Sequence, residues 1–233
     1  MDERVLSAAA NNAQWCDLVC RSHGIPTAFD ERVWVALRRA PEFYPDVVTL
    51  VPGVVAEELP ASVLDAPGAY VKDSFADLDL GPCGYEELFE AQWIFRAPAA
   101  APRGRGLDWT SVETEQRLVE WTEAAGLTGI LPGGLLRDPA VRFLAARTAD
   151  GLAAGAIAHR TGSVAGVSNV FARTVTTEEA WDGLADAANA VFRSLPLVGY
   201  ESGDPLQAAL AAGFIAIGEL RVWKDANAPA LSS

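Results

Sequence analysis

Hydrophobic and polar residues in the second half of the chain follow a pattern that predicts three successive strands. Apolar, strand-like segments cover residues 141–148, 152–160 and 164–171. Asp150-Gly151 separates the first two segments, and an Asp-Gly pair between apolar runs is typical of a β-hairpin. A short polar turn precedes the third segment. We therefore predict three antiparallel strands in chain order.

The pattern then changes to helical spacing. In the segment 177–193 one face is apolar, and Glu178, Glu179, Asp182 and Asp186 face water. The apolar face comprises Trp181, Leu184, Ala188, Val191 and Phe192. This arrangement predicts an amphipathic helix that covers one side of a sheet.

Two more strands and a helix are predicted after it. Residues 195–201 are apolar on both faces, as expected of a central or parallel strand. Asp204 is predicted to cap a helix that Gly213 ends, and residues 214–223 return to a strand pattern. The predicted fold class is α/β (α+β), with a mixed, mainly antiparallel sheet flanked by helices.

The first half of the chain predicts shorter, mixed elements. Strands are predicted at 47–51, 70–80 and 92–95, and helices from Asn11 or Asn12 to Gly24, over 55–64, and from Thr110, in a capping box with Glu113, to Gly126. Residues 97–106 combine Pro and Gly without large apolar side chains, which is typical of a linker. We therefore predict an N-terminal α/β region over 1–96, a second domain over 107–225 and a flexible tail over 226–233.

Composition narrows the classes of partner. The chain has 233 residues, half of them apolar, and a formal net charge of −13. This charge argues against nucleic acids and anionic membranes, which require clustered Lys and Arg. No apolar run reaches the roughly 18 residues of a membrane span, and the acidic start of the chain is not typical of a signal peptide. Three cysteines do not suggest a disulfide framework, so we expect a reducing cytoplasm.

Cys16, Cys20 and His23 fall on one face of the first predicted helix. This spacing is compatible with metal ligation, but no fourth ligand is evident and thiols are common in protein cores. We favour the core interpretation and predict no metal site.

The order strand, strand, strand, helix, strand, helix, strand resembles the GNAT acetyltransferase superfamily. The most specific part is LVGYESGDPLQAALAAGFIAIGELRVW, residues 197–223, and the resemblance covers roughly 107–223. The region before it carries no matching motif and is either an accessory region or a partial second copy of the same fold.

This resemblance implies an acyl-CoA site, with acetyl-CoA or another acyl-CoA as cofactor. In GNAT enzymes two adjacent strands diverge and the pantetheine arm pairs with one of them; here these strands are 164–171 and 195–201. The implied cofactor-binding residues are Ser168, Asn169, Val170, Phe171 and Arg173. Polar residues inside the strand GVSNVF also indicate a bulge or a ligand contact.

The turn before the long helix departs from the family. GNAT enzymes hold the pyrophosphate on a glycine-rich turn at a helix N-terminus, whereas residues 172–181 read ARTVTTEEAW. Glu178 and Glu179 suit the helix dipole but repel a pyrophosphate, and Arg173 is the nearby cation. We therefore expect acetyl-CoA to bind weakly if at all.

The catalytic position also departs from the family. Many members place a Tyr general acid four residues before the Gly-Phe pair, where this chain has Ala209. Tyr200 and Glu201, at the end of the neighbouring strand, are the substitutes, with Glu201 or a water as general base. The alternatives are a Tyr packed under the sheet and a solvated Glu. His159 is expected to be structural or exposed.

Two functions follow from these residues. The first is an N-acyltransferase that moves an acyl group from acyl-CoA to an amine of a small molecule, with backbone N–H groups near Asn169 and Val170 polarising the thioester carbonyl. The second is a GNAT-like protein that has lost this chemistry and binds a small ligand or a partner protein without acetyl-CoA. A homodimer is compatible with either function.

Overall fold

The computed structural model describes residues 2–98, 107–193 and 195–227. They form two compact units, one from residues 1–91 and 218–233 and the other from residues 92–217. Most of the linker predicted at 97–106 and of the tail predicted at 226–233 lies outside the described residues. The two units differ from the predicted division at 97–106, because residues 92–96 pack in the second unit and the final strand ends in the first.

The first unit is a small mixed sheet with helices. Its sheet has the order β1-β2-β3-β4-β11, in which only β3 and β4 are parallel. The strands are β1 (Thr27–Phe29), β2 (Val33–Ala36), β3 (Val47–Thr49), β4 (Tyr70–Asp73) and β11 (Ile215–Asp225); the helices are α1 (Glu3–Ser22), α2 (Ala61–Leu64) and short 3-10 turns at Ala56–Glu58 and Gly81–Cys83.

The first helix begins at Glu3, well before the predicted cap, so the prediction of Asn11 or Asn12 as the cap was wrong. Asp2 is the cap, and its carboxylate accepts a hydrogen bond of 2.9 Å from the Arg4 backbone N–H. Asn11 is buried, and Asn12 Oδ1 accepts from Lys72 Nζ at 3.0 Å. A tertiary hydrogen bond therefore accounts for the Asn12 side chain, and packing in the core accounts for the position of Asn11.

The two thiols of this helix are core residues. Cys16 and Cys20 are both buried, and burial raises their pKa values to about 11 and about 12. Among the described residues, no group of three or more His, Cys, Asp or Glu side chains is arranged to hold a metal ion.

Several predicted boundaries shift for local reasons. Pro60 divides the predicted helix 55–64 into two short turns. The predicted strand 70–80 stops at Asp73. The buried carboxylate of Asp73 accepts hydrogen bonds from the backbone N–H groups of Phe75 and Leu78, which stabilises a turn after the strand. Thr110 lies in a strand, and the helix predicted from it starts instead after the cap Thr114.

The second unit carries the predicted strand–helix order. Its sheet has the order β5-β10-β9-β8-β7-β6, and only β9 and β10 are parallel. Its elements are β5 (Tyr85–Arg96, of which residues 92–96 belong here), β6 (Trp109–Ser111), β7 (Val141–Thr148), β8 (Gly151–Thr161), β9 (Val164–Ala172), β10 (Leu197–Glu201), α3 (Glu115–Ala124), α4 (Thr177–Val191), α5 (Gly203–Ala211) and a 3-10 turn at Gly133–Arg137. The predicted hairpin is confirmed, since Thr148 pairs with Gly151.

Helices α4 and α5 cover one face of this sheet with small apolar residues. The predicted apolar face of α4 is confirmed, with Trp181, Leu184 and Ala188 fully buried. The prediction that Asp186 faces water was wrong, because its side chain is only 14% exposed and pairs with Arg96. Trp181 meets Phe214 edge to face, with ring centroids 5.3 Å apart. Ser202 rather than Asp204 is the N-cap of α5.

An aromatic cluster covers the other face. The Trp121 ring stands edge to face against Phe143 and Phe171, with centroids 5.2 Å apart in both pairs. Gly155 of β8 makes room for these rings, because a Cβ there would lie 2.5 Å from Trp121 Nε1 and against the Phe171 ring. The sheet is therefore closed on both faces.

Candidate functional site

Strands β9 and β10 pair briefly and then separate. Their register includes only Ala165 with Leu197 and Gly166 with Val198, and the Ala165 N–H donates to the Pro196 carbonyl at 3.0 Å. Both strands continue beyond this point, to Ala172 and Glu201. We call the space bounded by residues 167–172 of β9 and 199–201 of β10 the β9–β10 opening. It is the divergence that the resemblance implied.

A β-bulge lies in β9 beside the opening. Ile157 of β8 faces Ser168 and Gly155 faces Phe171, so Ala156 faces both Asn169 and Val170. Asn169 has a φ of 52°, a conformation that Asn adopts more readily than most residues. The polar residues inside this strand therefore mark a bulge, which is one of the two roles predicted for them.

The bulge changes which backbone groups face the opening. Past it, the Arg173 N–H donates to the Ala153 carbonyl of β8 at 2.8 Å. Since backbone N–H groups alternate in direction along a strand, those of Val170 and Ala172 are directed away from β8. No strand of the described residues pairs with this edge of β9 after Gly166. The opening thus has a free strand edge.

Gly199 allows the last close approach of the two strands. A Cβ at this position would lie 2.7 Å from the Val167 carbonyl oxygen and 3.2 Å from Val167 Cγ2. Gly199 is not among the site residues predicted from the sequence. A glycine inside an apolar strand pattern is the signal that indicates it, because such a glycine marks close backbone approach.

Glu201 and Tyr200 lie on opposite faces of β10. Tyr200 packs edge to face on Trp93, with ring centroids 5.6 Å apart. Glu201 follows Leu197 by four positions, so both are on the α4 and α5 face, where Val170 also packs. The structure therefore brings Glu201 and Val170 to the same side of the opening and separates Tyr200 from them.

The Glu201 carboxyl is partly buried, and burial raises its pKa from 4.5 to about 7. Within the described part of the chain it forms no ion pair that would lower this pKa. A carboxyl with a pKa near neutrality exchanges protons readily at physiological pH. The expected alternative of a fully solvated Glu does not apply.

The N-terminus of α4 is closed by its own side chains. Thr176 Oγ1 accepts from the Glu179 N–H at 3.2 Å, and Glu179 Oε2 accepts from the Thr176 N–H at 2.8 Å. Glu178 and Glu179 are both exposed, as is Arg173. Two backbone donors and both carboxylates at this end of the helix thus stabilise the helix itself, and the two negative charges disfavour a bound anion.

Three further positions considered in the sequence analysis are buried or half-buried. Ala209, where the family places a Tyr, is fully buried in the α4–α5 core, which excludes a large side chain there. His159 is 6% exposed, and burial lowers its pKa to about 4, so it is neutral at physiological pH. Ser168 is half-buried beside the bulge.

No helix among the described residues is both long and apolar enough to cross a membrane. No protein-family model matches the sequence, and no curated protein matches it significantly.

Solved structures do match the fold. A GCN5-related N-acetyltransferase from Kribbella flavida is similar with a TM-score of 0.61 and 13% identity, over 94% of this chain and 95% of that chain. A putative GNAT-family acetyltransferase from Novosphingobium aromaticivorans is similar with a TM-score of 0.60 and 16% identity, over 93% and 97% of the two chains. A functionally unknown conserved protein from Staphylococcus epidermidis matches with a TM-score of 0.56 and 9% identity, over 70% and 74%. The predicted resemblance to GNAT acetyltransferases is thus confirmed for the fold.

Proposed function

We propose that this protein is an N-acyltransferase that moves an acyl group from a thioester to an amine of a small molecule, with Glu201 as general base. The observation that carries the proposal is the position of Glu201, at the end of β10 in the β9–β10 opening, as a partly buried carboxyl that forms no ion pair with any described residue. The fold of two GNAT-type acetyltransferases over almost the whole chain supports it.

The residues of the opening divide the chemistry between them. As the amine nitrogen attacks the thioester carbonyl carbon, a Glu201 carboxylate oxygen accepts the proton that the nitrogen loses. In this proposal the Val170 N–H, directed away from β8, donates to the carbonyl oxygen as negative charge develops on it. The C–N bond forms, the C–S bond breaks, the departing sulfur takes up a proton from water, and Glu201 returns its proton to water. Tyr200, on the opposite face of β10, is assigned no proton transfer on that side.

An acyl-CoA donor fits this site only in part. The free edge of β9 suits the amide-bearing pantetheine arm, because an extended chain with amide groups can pair with a strand edge. The end of α4 suits the pyrophosphate poorly, because the Thr176 and Glu179 N–H groups are engaged in the capping box and the carboxylates of Glu178 and Glu179 lie there. We therefore base no step on the pyrophosphate.

The experiment measures thiol release from acetyl thioesters with a panel of primary amines over about pH 5.5–9. We expect kcat/KM to rise with pH through an apparent pKa near 7, as Glu201 loses its proton. Glu201→Gln should lower the rate by about 10²–10⁴-fold and remove this pH dependence. Glu123→Gln, an exposed change on α3, is the control. An unchanged rate and pH profile in Glu201→Gln would contradict the assignment.

The second candidate function is a binding protein that uses no acetyl-CoA. The self-capped end of α4 favours it, since this is where the fold family holds its cofactor. Calorimetric titration of acetyl-CoA and CoA, together with the thiol-release assay, distinguishes the two. Absence of turnover with every thioester would favour the binding protein.

A further inference from the structure

The β9–β10 opening and the end of α4 place different demands on an acyl donor. We propose that the donor is recognised through its pantetheine arm alone, so that the diphosphate and nucleotide of CoA contribute no affinity. This inference rests on the proposed function and specifies its donor. It predicts that a pantetheine thioester is used as well as the corresponding acyl-CoA.

The free edge of β9 provides the contacts for the arm. Pantetheine carries two amide groups on an extended chain, and an extended amide chain gains affinity from main-chain hydrogen bonds to a strand edge. The N–H groups of Val170 and Ala172 both point away from β8 along this edge. β10 has already diverged from β9 at this level, so it does not occupy these donors. These donors need no charge on the ligand.

The backbone donors that precede α4 are largely engaged within the chain. The Arg173 and Thr174 N–H groups donate to the Ala153 carbonyl at 2.8 Å and 3.4 Å. Those of Thr176 and Glu179 belong to the capping box. A diphosphate could use the Thr176 or Glu179 N–H group only by breaking this box, which removes two of the donors near the helix N-terminus.

Sterics and charge also disfavour a diphosphate there. Val175 packs against the buried Ala146, Ala154 and Ala180, which fixes the turn in place. No glycine occurs in residues 172–181, so side chains surround the backbone that would have to approach the phosphates. The exposed Glu178 and Glu179 add two negative charges at the same end.

Two sources share the chemistry of such a donor. One is a free pantetheine or 4′-phosphopantetheine thioester, and the other is the same arm carried on a carrier protein. In both cases the acyl C–S bond breaks, the C–N bond forms, and the amine proton passes to Glu201.

The test compares a matched series of donors at constant ionic strength. The donors are S-acetyl-pantetheine, S-acetyl-4′-phosphopantetheine, acetyl-CoA and an acetyl-loaded carrier protein. We expect kcat/KM for S-acetyl-pantetheine to lie within about threefold of the value for acetyl-CoA. This difference is smaller than a tenfold preference, which corresponds to about 1.4 kcal/mol. A tenfold or greater preference for acetyl-CoA would overturn the proposal. A rate higher with the carrier protein than with the free thioesters would identify it as the source, and equal rates would identify the free thioester.

Binding provides a readout that does not depend on turnover. Calorimetry should give similar affinities for pantetheine and CoA, and 3′-phospho-ADP, the nucleotide half of CoA, should not compete with either. Competition by 3′-phospho-ADP, or binding of CoA but not of pantetheine, would contradict the inference. If pantetheine binds but no thioester is turned over, the proposed function fails while the arm-only recognition stands.

A charge variant tests the reason for the selectivity. Glu178→Gln with Glu179→Gln removes both charges and keeps an acceptor oxygen in the capping box. This double variant should bind CoA more tightly than the unmodified protein, more so at low salt, and should bind pantetheine unchanged. Equal changes for the two ligands would show that these carboxylates do not act on the diphosphate.

Discussion

At the scale of single residues, Gly155 and Gly199 occupy strand positions of the second unit where a Cβ would clash with neighbouring atoms. Gly155 lies under Trp121 and Phe171, and Gly199 lies against the Val167 carbonyl. Both occupy strands, where glycine otherwise weakens packing. Aromatic rings approach Gly155 closely, and the backbone of β9 approaches Gly199 closely, so neither position has room for a side chain.

Gly155→Ala should strongly destabilise the protein. Its Cβ would lie 2.5 Å from Trp121 Nε1, which is itself hydrogen-bonded at 2.9 Å to the Leu144 carbonyl. Because the rings cannot move without breaking this contact, we expect a loss of about 1–3 kcal/mol in urea unfolding. Gly134→Ala, whose Cβ would meet only the flexible end of Arg137 at 3.6 Å, is the matched control. Equal midpoints for the two variants would contradict the packing described here.

The raised pKa of Glu201 also predicts how stability depends on pH. The folded value of about 7 lies above the ordinary value of 4.5, so the folded protein binds the proton more tightly than the unfolded chain. This contribution to stability is present below about pH 4.5 and is lost as the pH rises through about 7. Glu201→Gln keeps a neutral side chain, so it should gain about 1–3 kcal/mol over the unmodified protein between about pH 5 and pH 8. A difference in unfolding free energy that does not vary with pH would show that the carboxyl is not desolvated.

At the scale of elements, the capping box fixes where α4 begins. Thr176 and Glu179 each satisfy a backbone donor of the other, and Glu178 and Glu179 lie at the positive end of the helix dipole. The same two acids that disfavour an anion therefore stabilise the helix. This shared role explains how a helix end can be well formed and still unsuited to a diphosphate.

Thr176→Ala should cost about 1 kcal/mol of stability, because the Glu179 N–H loses its acceptor. The loss is measured by urea unfolding with circular dichroism. Thr174→Ala changes an exposed side chain outside the capping box and serves as the control. If Thr176→Ala and Thr174→Ala unfold at the same urea concentration, the capping box does not stabilise α4.

At the scale of the whole molecule, a buried ion pair joins distant parts of the sequence. Arg96, at the end of β5, lies 3.7 Å from Asp186 of α4, and their side chains are only 6% and 14% exposed. Residues 92–96 belong to the second unit, so this pair lies within that unit. Charges this buried depend on each other more strongly than a surface pair does.

Arg96→Met should lower the unfolding free energy by about 3–5 kcal/mol, because the buried Asp186 carboxylate loses its ion pair with Arg96. The double variant Arg96→Met with Asp186→Leu should be more stable than Arg96→Met alone. Chemical unfolding of the two single variants and the double variant forms a mutant cycle that measures this coupling. Additive losses would show that the two charges do not interact.

The order of strands and helices from residue 141 onward could be predicted without the structure. Those elements depend on local signals: alternating apolar residues, the Asp-Gly turn and the apolar face of α4. The same signals located Glu201 at a strand end and showed that the turn before α4 lacks glycine. They were less reliable in the first half, where Asn11 resembles a cap but lies inside a helix.

Which of these residues lie together depends on how the sheet assembles. The separation of β9 and β10 depends on a register that ends at Gly166 and Val198, and the bulge depends on the opposite strand β8. The raised pKa of Glu201 comes from burial by groups distant in sequence, and Tyr200 is set apart because it faces Trp93. Helix capping and hydrophobic periodicity depend on residues a few positions apart, so they can be predicted from the local sequence. Strand register and burial depend on residues distant in sequence, so they are defined only once the whole sheet has assembled.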